Sequence, residues 1–229
     1  LMGRDNMSAD PVKLASGFLR TAIARGTKLF APVDVTDVQA GARGVRAQTK
    51  QGPVIKASHV VFATGYEFPN YVPQKGHKIA STWALATRPQ PRNIWPESVF
   101  IWEAADPYLY LRAGPNGEII CGGEDEDFQN EDIRNALMDI KIETIESKLT
   151  QLFPHVDARA AYAWCGSFGT SKTGTPSIGP IPKMKNCYAV MGFGGNGITF
   201  SMMAAQMLRG IICGQGDPDL DLVSFNRKF

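Results

Sequence analysis

The sequence predicts a mixed α/β protein in which a partial α/β layer is joined to an antiparallel β-sheet carrying a long helix. Three observations point there. An amphipathic helix opens the chain and is followed by strand-like runs; from His77 onward come short alternating apolar runs cut by Pro, Asn and Gly; and a lone strand, glycine turn and helix lies near the end. With 229 residues, 44% of them hydrophobic, the chain can build one large domain or two interlocked ones.

Taken in order, Asp10-Pro11 reads as an N-cap with proline in the first turn. Val12, Ala15, Phe18, Leu19, Ala22 and Ile23 then recur at helical spacing, and Gly26 ends the helix. Strands are expected over Lys28 to Val38, Gly44 to Thr49 and Val54 to Thr64, the last closing on a glycine turn. The runs "HKIASTWALATRP", "ESVFIWEA", "PYLYLRAG" and "GEIICGGED" suggest an antiparallel sheet. Asn130 to Phe153 follows the helical period through Ile133, Leu137, Ile140, Ile145, Leu149 and Leu152, with Pro154 as its stop. Ala158 to Ser167 is a further strand, Asn186 to Met191 a buried one, and Ile198 to Cys213 a helix closed by Gly214. The expected organisation is a discontinuous layer from residues 8–76 and 176–229, a sheet unit from 77–175, and a linker or cut end over 1–7, where the chain opens "LMGRDNM".

Composition removes several function classes. Net charge is +2 with acids and bases interspersed, so no field is built for nucleic acid or an anionic membrane. The apolar stretch from Ile198 to Cys213 is broken by Ser201, Gln206 and Arg209 and is too short to span a bilayer. Cys121, Cys165, Cys187 and Cys213 are scattered without a C-x-x-C pair, so neither a zinc site nor a disulfide framework is expected. No basic-then-apolar leader opens the chain, and the cytoplasm is the expected compartment.

"GFGGNG" holds a literal G-x-G-x-x-G at Gly192, Gly194 and Gly197. A dinucleotide fingerprint needs a second strand carrying an acidic residue about twenty positions on. Here Gly214, Gly216 and Pro218 follow instead, and no strand carries Asp217 or Asp219. The motif is therefore not a Rossmann opening. It is either a packing turn between strand and helix or, through unpaired N–H groups at a helix start, a contact for an anionic group.

Read together, "HVVFATGYE" from His59, "WCGSFGTSKTGTPSIGP" from Trp164 and "GFGGNGITFS" resemble the D-amino acid oxidase family of FAD-dependent oxidoreductases, the group that holds glycine oxidase and sarcosine oxidase. The resemblance runs in order from Asp10 to Phe225, taking in the Asp10-Pro11 helix, the strand before Val35, "YLYLRAGPNGEIICGGEDED" and the closing "SFNR". It implies a FAD-binding Rossmann-like layer that is only partial here, because the family's glycine motif opens a βαβ unit near the N-terminus and no early G-x-G-x-x-G occurs in this sequence. The resemblance thus makes the chain the C-terminal part of a longer flavoprotein, with FAD bound weakly or not at all by this part alone.

The same resemblance assigns residues. Val35 would meet the adenine through its backbone, although it also reads as a plain core valine. Ala63, Thr64 and Gly65 match a second FAD contact, or a strand-ending turn. Gly195, Asn196, Gly197, Ile198 and Thr199 match the turn whose amides face the pyrimidine end of the flavin, where the helix dipole stabilises charge on the reduced ring. Tyr108, Tyr110 and Arg112 fall at i, i+2 and i+4, one face of a strand, and could present two phenols and a guanidinium to a carboxylate-bearing amine. An ordinary sheet face with a solvated Arg112 fits the pattern equally. Trp102 and Trp164 are either pocket walls or core aromatics.

Two departures stand out. Phe168 occupies the place where glycine oxidase-like members carry an arginine for the substrate carboxylate, and Cys165 falls about where sarcosine oxidases bond covalently to flavin. A buried inert thiol is the favoured reading of Cys165. The expected activity is oxidation of a small-molecule amine or amino acid by hydride transfer to flavin N5, with hydrolysis of the resulting imine; no catalytic acid or base is named. Two alternatives are a non-catalytic flavoprotein-fold module binding a partner, and an NAD(P)H-linked flavoprotein, which should carry a second full fingerprint and does not.

Overall fold

A computed structural model describes residues 8–91 and 94–227; the expected linker over 1–7 lies outside the described residues. Helix α1 spans Pro11–Ala24, and the Asp10 carboxylate accepts from the amides of Val12 and Lys13 at 3.0 Å. That cap satisfies donors left orphaned by the first turn. The apolar stripe of α1 is present as the spacing predicts, yet none of its residues is buried.

Strands β1 (Val35–Gly41), β2 (Gly44–Thr49) and β3 (Val54–Ala57) form an antiparallel meander. The expected strand from Lys28 therefore starts only at Val35, because residues 28–33 make no ladder with β2 and a strand exists only through its neighbour. The run Val54 to Thr64 likewise divides. After Ala57 the chain leaves the meander, and the Val60 amide bonds the Asn186 carbonyl at 3.0 Å, starting β4 (Val60–Phe62) in a different sheet.

Five strands build the large antiparallel sheet: β5 (His77–Thr87), β6 (Ile101–Trp102), β7 (Leu109–Ala113), β8 (Ile119–Glu126) and β9 (Ala160–Ser171), in the order β6-β7-β8-β5-β9. The expected long helix is two, α2 (Glu131–Ala136) and α3 (Met138–Leu152), parted at Leu137. Trp83 Nε1 donates to the Arg134 carbonyl at 3.1 Å and so diverts it from the helical ladder. Trp83, Leu85, Leu109, Leu111 and Cys121 pack under Ile142, Ile145 and Leu149 in one core.

The third sheet holds β10 (Ser177–Pro180), β11 (Cys187–Met191) and β4, in that order. Strand β11 runs parallel to β4 and antiparallel to β10, and all five of its residues are buried. Cys187, Ala189 and Met191 face the core shared with the meander, while Tyr188 and Val190 meet helix α4 (Gly197–Ile212) through Ala204, Met207 and Leu208. A strand covered on both faces reads as a continuous apolar run, which "CYAVM" is. A short helix, α5 (Leu220–Val223), adds Val223 to the same cluster. Among the described residues, no helix is long and apolar enough to cross a membrane.

Candidate functional site

Because β4 and β11 are parallel and in register at Phe62 and Ala189, their carboxyl ends open on the same side. Ala63, Thr64 and Gly65 leave one strand there, and the glycine turn leaves the other. This is where α/β sheets bind ligands, since strand ends and helix starts leave backbone groups unpaired. Gly65 has φ +65° and the Thr64 hydroxyl bonds the Glu67 carbonyl at 2.5 Å, closing a tight turn.

The glycine turn itself begins at Gly192, φ +75°, where a Cβ would stand 2.3 Å from Nδ1 of His77. Gly194, at φ +55°, starts a short 3-10 turn through Asn196 that leads into α4 at Gly197. No side chain caps that sixteen-residue helix. Its first amides stand at a surface where Gly195, Asn196, Ile198 and Thr199 are exposed. Uncapped amides at the positive end of a helix dipole suit an electron-rich ring edge or an anion. The residues fit a flavin: an open turn, a positive helix end and a second turn at the neighbouring strand end.

Of the proposed cofactor contacts, Ala63 to Gly65 and Gly195 to Thr199 are thus brought to one end of one sheet. Val35 is not among them; it opens β1 in the meander, half exposed.

The large sheet supplies the facing wall. Register places Trp102, Tyr110, Gly122, Ala84 and Trp164 in one row across β6, β7, β8, β5 and β9, and residues paired across strands share a face. The other face carries Leu109, Leu111 and Trp83 against α3. Tyr108, Tyr110 and Arg112 therefore project opposite the helices, as their spacing predicts. Trp102 stacks on Tyr108, with centroids 5.3 Å apart and planes at 28°, and Tyr110 lies 6.4 Å beyond. A Cβ on Gly195 would lie 3.5 Å from the Trp102 ring, which joins the aromatic row to the glycine turn. Burial pushes both phenols above the ordinary tyrosine range, and the Asp125 carboxylate adds to that effect.

Cys165 faces the other way. It pairs with Trp83, and its Sγ donates to Asn135 Oδ1 at 3.2 Å on the helix side. Strand alternation explains this: Trp164 and Cys165 are neighbours in β9 and must point to opposite faces. The Cys165 thiol therefore points away from the face that carries Trp102 and Trp164.

His77 and Asp125 escaped sequence reasoning. His77 Nε2 lies 2.7 Å from Ser177 Oγ, and its ring fills the space a side chain on Gly192 would need. The approach of residues 77, 177 and 192 has no local signal. Asp125 sits in the acidic run "EDED", which reads as a solvated strand end.

The FAD dependent oxidoreductase (DAO) family model matches residues 2–210. No protein of curated function matches the sequence. Among solved structures, the chain is similar to glycine oxidase from Geobacillus kaustophilus, at 16% identity and TM-score 0.74, covering 94% of this chain and 58% of that one. It is similar to L-proline dehydrogenase from P. horikoshii at 18% identity and TM-score 0.74, covering 95% and 59%. The glycerol-3-phosphate dehydrogenase from Bacillus halodurans, complexed with FAD, matches at 16% identity and TM-score 0.63, covering 90% and 43%. The chain thus spans less than two thirds of each of these neighbours. Likeness at such identities carries the fold, a mixed α/β flavoprotein oxidase fold with antiparallel sheets, and the match over most of the sequence carries the lineage: the chain belongs to the FAD dependent oxidoreductase family.

Proposed function

We propose that this chain is the carboxyl-side part of a FAD-dependent oxidoreductase that oxidises a small-molecule amine or amino acid. The observation that carries the reading is the meeting of an uncapped glycine turn with the aromatic row through Gly195 and Trp102. When bound, FAD supplies a hydride acceptor at N5. The α4 amides from Gly197 to Thr199 stabilise negative charge at one edge of the ring, and Ala63 to Gly65 let backbone approach from the neighbouring strand end. Trp102, Tyr108, Tyr110 and Trp164 form the substrate wall, which orients the amine.

The layer made by 8–76 and 176–229 and the sheet unit of 77–175 divide this work between cofactor and substrate. A further polypeptide layer, the βαβ unit that holds the pyrophosphate, completes the first. Its support is the exposed apolar stripe of α1, with Val12 76% and Phe18 58% exposed, beside exposed Leu29 and Phe30. Such a stripe normally packs against another element. Fractional coverage of the solved neighbours supports the same reading.

The test is titration of the purified 229-residue chain and of a longer polypeptide containing it with FAD, followed by flavin fluorescence. Binding at least a hundredfold weaker by the short chain is expected. Equal binding by both would overturn the partial-site reading, and no binding by either would overturn the flavin reading. A non-catalytic module would need a closed Tyr108 face, whereas Trp102 is 62% and Trp164 44% exposed.

A further inference from the structure

Strand β8 carries an irregularity beside the aromatic row. Pairing with β5 shifts between Ser81 and Trp83, and Glu124 there adopts φ +57°, a left-handed conformation uncommon for a residue with a side chain. Helix α3 holds this bulge from below. Lys148 bonds the buried Glu124 carboxylate, Lys141 lies 4.0 Å from it and donates to the Glu124 carbonyl at 3.2 Å, and Lys141 also pairs with Glu126 at 2.5 Å. With Glu124 fastened toward the helix, the next residue turns to the opposite face. Burial, and then the neighbouring Asp125 carboxylate, hold the Tyr108 phenol above its ordinary range, and Asp125 Oδ1 is buried with no hydrogen-bond partner among the described residues.

A buried carboxylate oxygen without a partner is costly, and native structures rarely leave one. The groups around it explain what would satisfy it. Tyr108 and the stacked Trp102 present aromatic faces; Tyr110 lies across Gly122, where a Cβ would come 2.3 Å from its hydroxyl; and Arg112 is the charged neighbour further along the same face. Carboxylate and electron-rich rings together select a cation.

We propose that Asp125 is a specificity-determining residue, which with Trp102, Tyr108 and Tyr110 binds a positively charged nitrogen group of the substrate. The inference rests on the reading that this face is the substrate wall. A carboxylate keeps a nearby amine protonated, whereas loss of hydride from the carbon beside an amine needs the nitrogen lone pair free. The nitrogen at Asp125 is therefore a second basic centre rather than the one oxidised. The substrate class is a diamine or an amino acid with a basic side chain.

The experiment follows tryptophan fluorescence of the 229-residue chain, titrated at constant ionic strength with tetramethylammonium chloride and separately with sodium butyrate. Saturable binding of the cation is expected, weakened at least tenfold by Asp125→Asn, weakened less by Tyr108→Phe, and unchanged by Asp127→Asn, whose carboxylate is exposed and pairs with Lys78. Absence of saturation, equal binding by the Asp125→Asn protein with native circular dichroism, or tighter binding of butyrate would each overturn the proposal. Flavin titration of the longer polypeptide scores the other reading independently: cation binding without flavin binding by either polypeptide sinks the flavin assignment alone, and flavin binding by the longer polypeptide without cation binding sinks this one alone.

Discussion

Gly192 and His77 interlock across the boundary between the parallel strands and the large sheet: a Cβ at position 192 would stand 2.3 Å from the imidazole Nδ1 and 2.6 Å from Cε1. The ring cannot swing aside freely, because its Nε2 is engaged with Ser177 Oγ at 2.7 Å. Gly192→Ala also imposes a left-handed backbone on alanine, at about 1 kcal/mol. The combined cost is about 2–4 kcal/mol, read as a fall in Tm of roughly 4–16 °C for a chain of this size. Gly194→Ala, with nothing within 4 Å of its Cβ position, loses only the backbone term.

His77 also sets a pH response. Burial first, then the nearby Arg227 charge, hold its pKa below the ordinary histidine value. The folded chain thus binds a proton at this position less readily than the unfolded chain. Stability from this residue is fully present above about pH 6.5 and is lost as pH falls from there through the depressed folded value. Urea midpoints between pH 5 and 7.5 should drop on the acid side, and the difference between wild type and His77→Asn should shrink over that window. A flat difference would remove His77 as the cause.

Cys165 is expected to be inert toward flavin. Acid precipitation of the flavin-loaded longer protein should leave all flavin in the supernatant, and Cys165→Ser should change neither flavin content nor spectrum. Its stability cost should stay within about 1 kcal/mol, since only a weak S–H donor to Asn135 is exchanged for a hydroxyl. Flavin retained on the denatured chain would contradict the strand alternation that turns the thiol toward α2.

The face of α1 separates two environments. Phe18→Ser with Ile23→Ser removes side chains that are 58% and 46% exposed, so the stability of the 229-residue chain should change by no more than about 0.5 kcal/mol for each. In the longer polypeptide the same pair should lower Tm by several degrees and reduce flavin content, because a covering layer would lose its contact. No change in the longer protein would mean that nothing packs on this stripe.

Local chemistry made much of this legible. Asp10-Pro11 and Gly26 bracket α1, "CYAVM" announces a strand buried on both sides, and the spacing of Tyr108, Tyr110 and Arg112 gives their shared face. What was hidden depends on distant partners. The division at His59 arises because Val60 pairs with a strand more than a hundred residues later, and the break at Leu137 follows from an indole taking the Arg134 carbonyl. Asp125 was invisible for the same reason: a bulge pinned by Lys141 and Lys148 decides which way it turns, and no pattern within "EDED" encodes that.

Strand β11 has both edges paired and both faces covered, and it hands the chain directly from Met191 to Gly192. Its amides should be among the slowest to exchange with solvent, and the turn inherits that stillness. The opposite wall rests on β6, a two-residue edge strand whose Trp102 is mostly exposed. Motion at this end of the sheets therefore belongs to the indole side, swinging against a glycine turn that stays fixed.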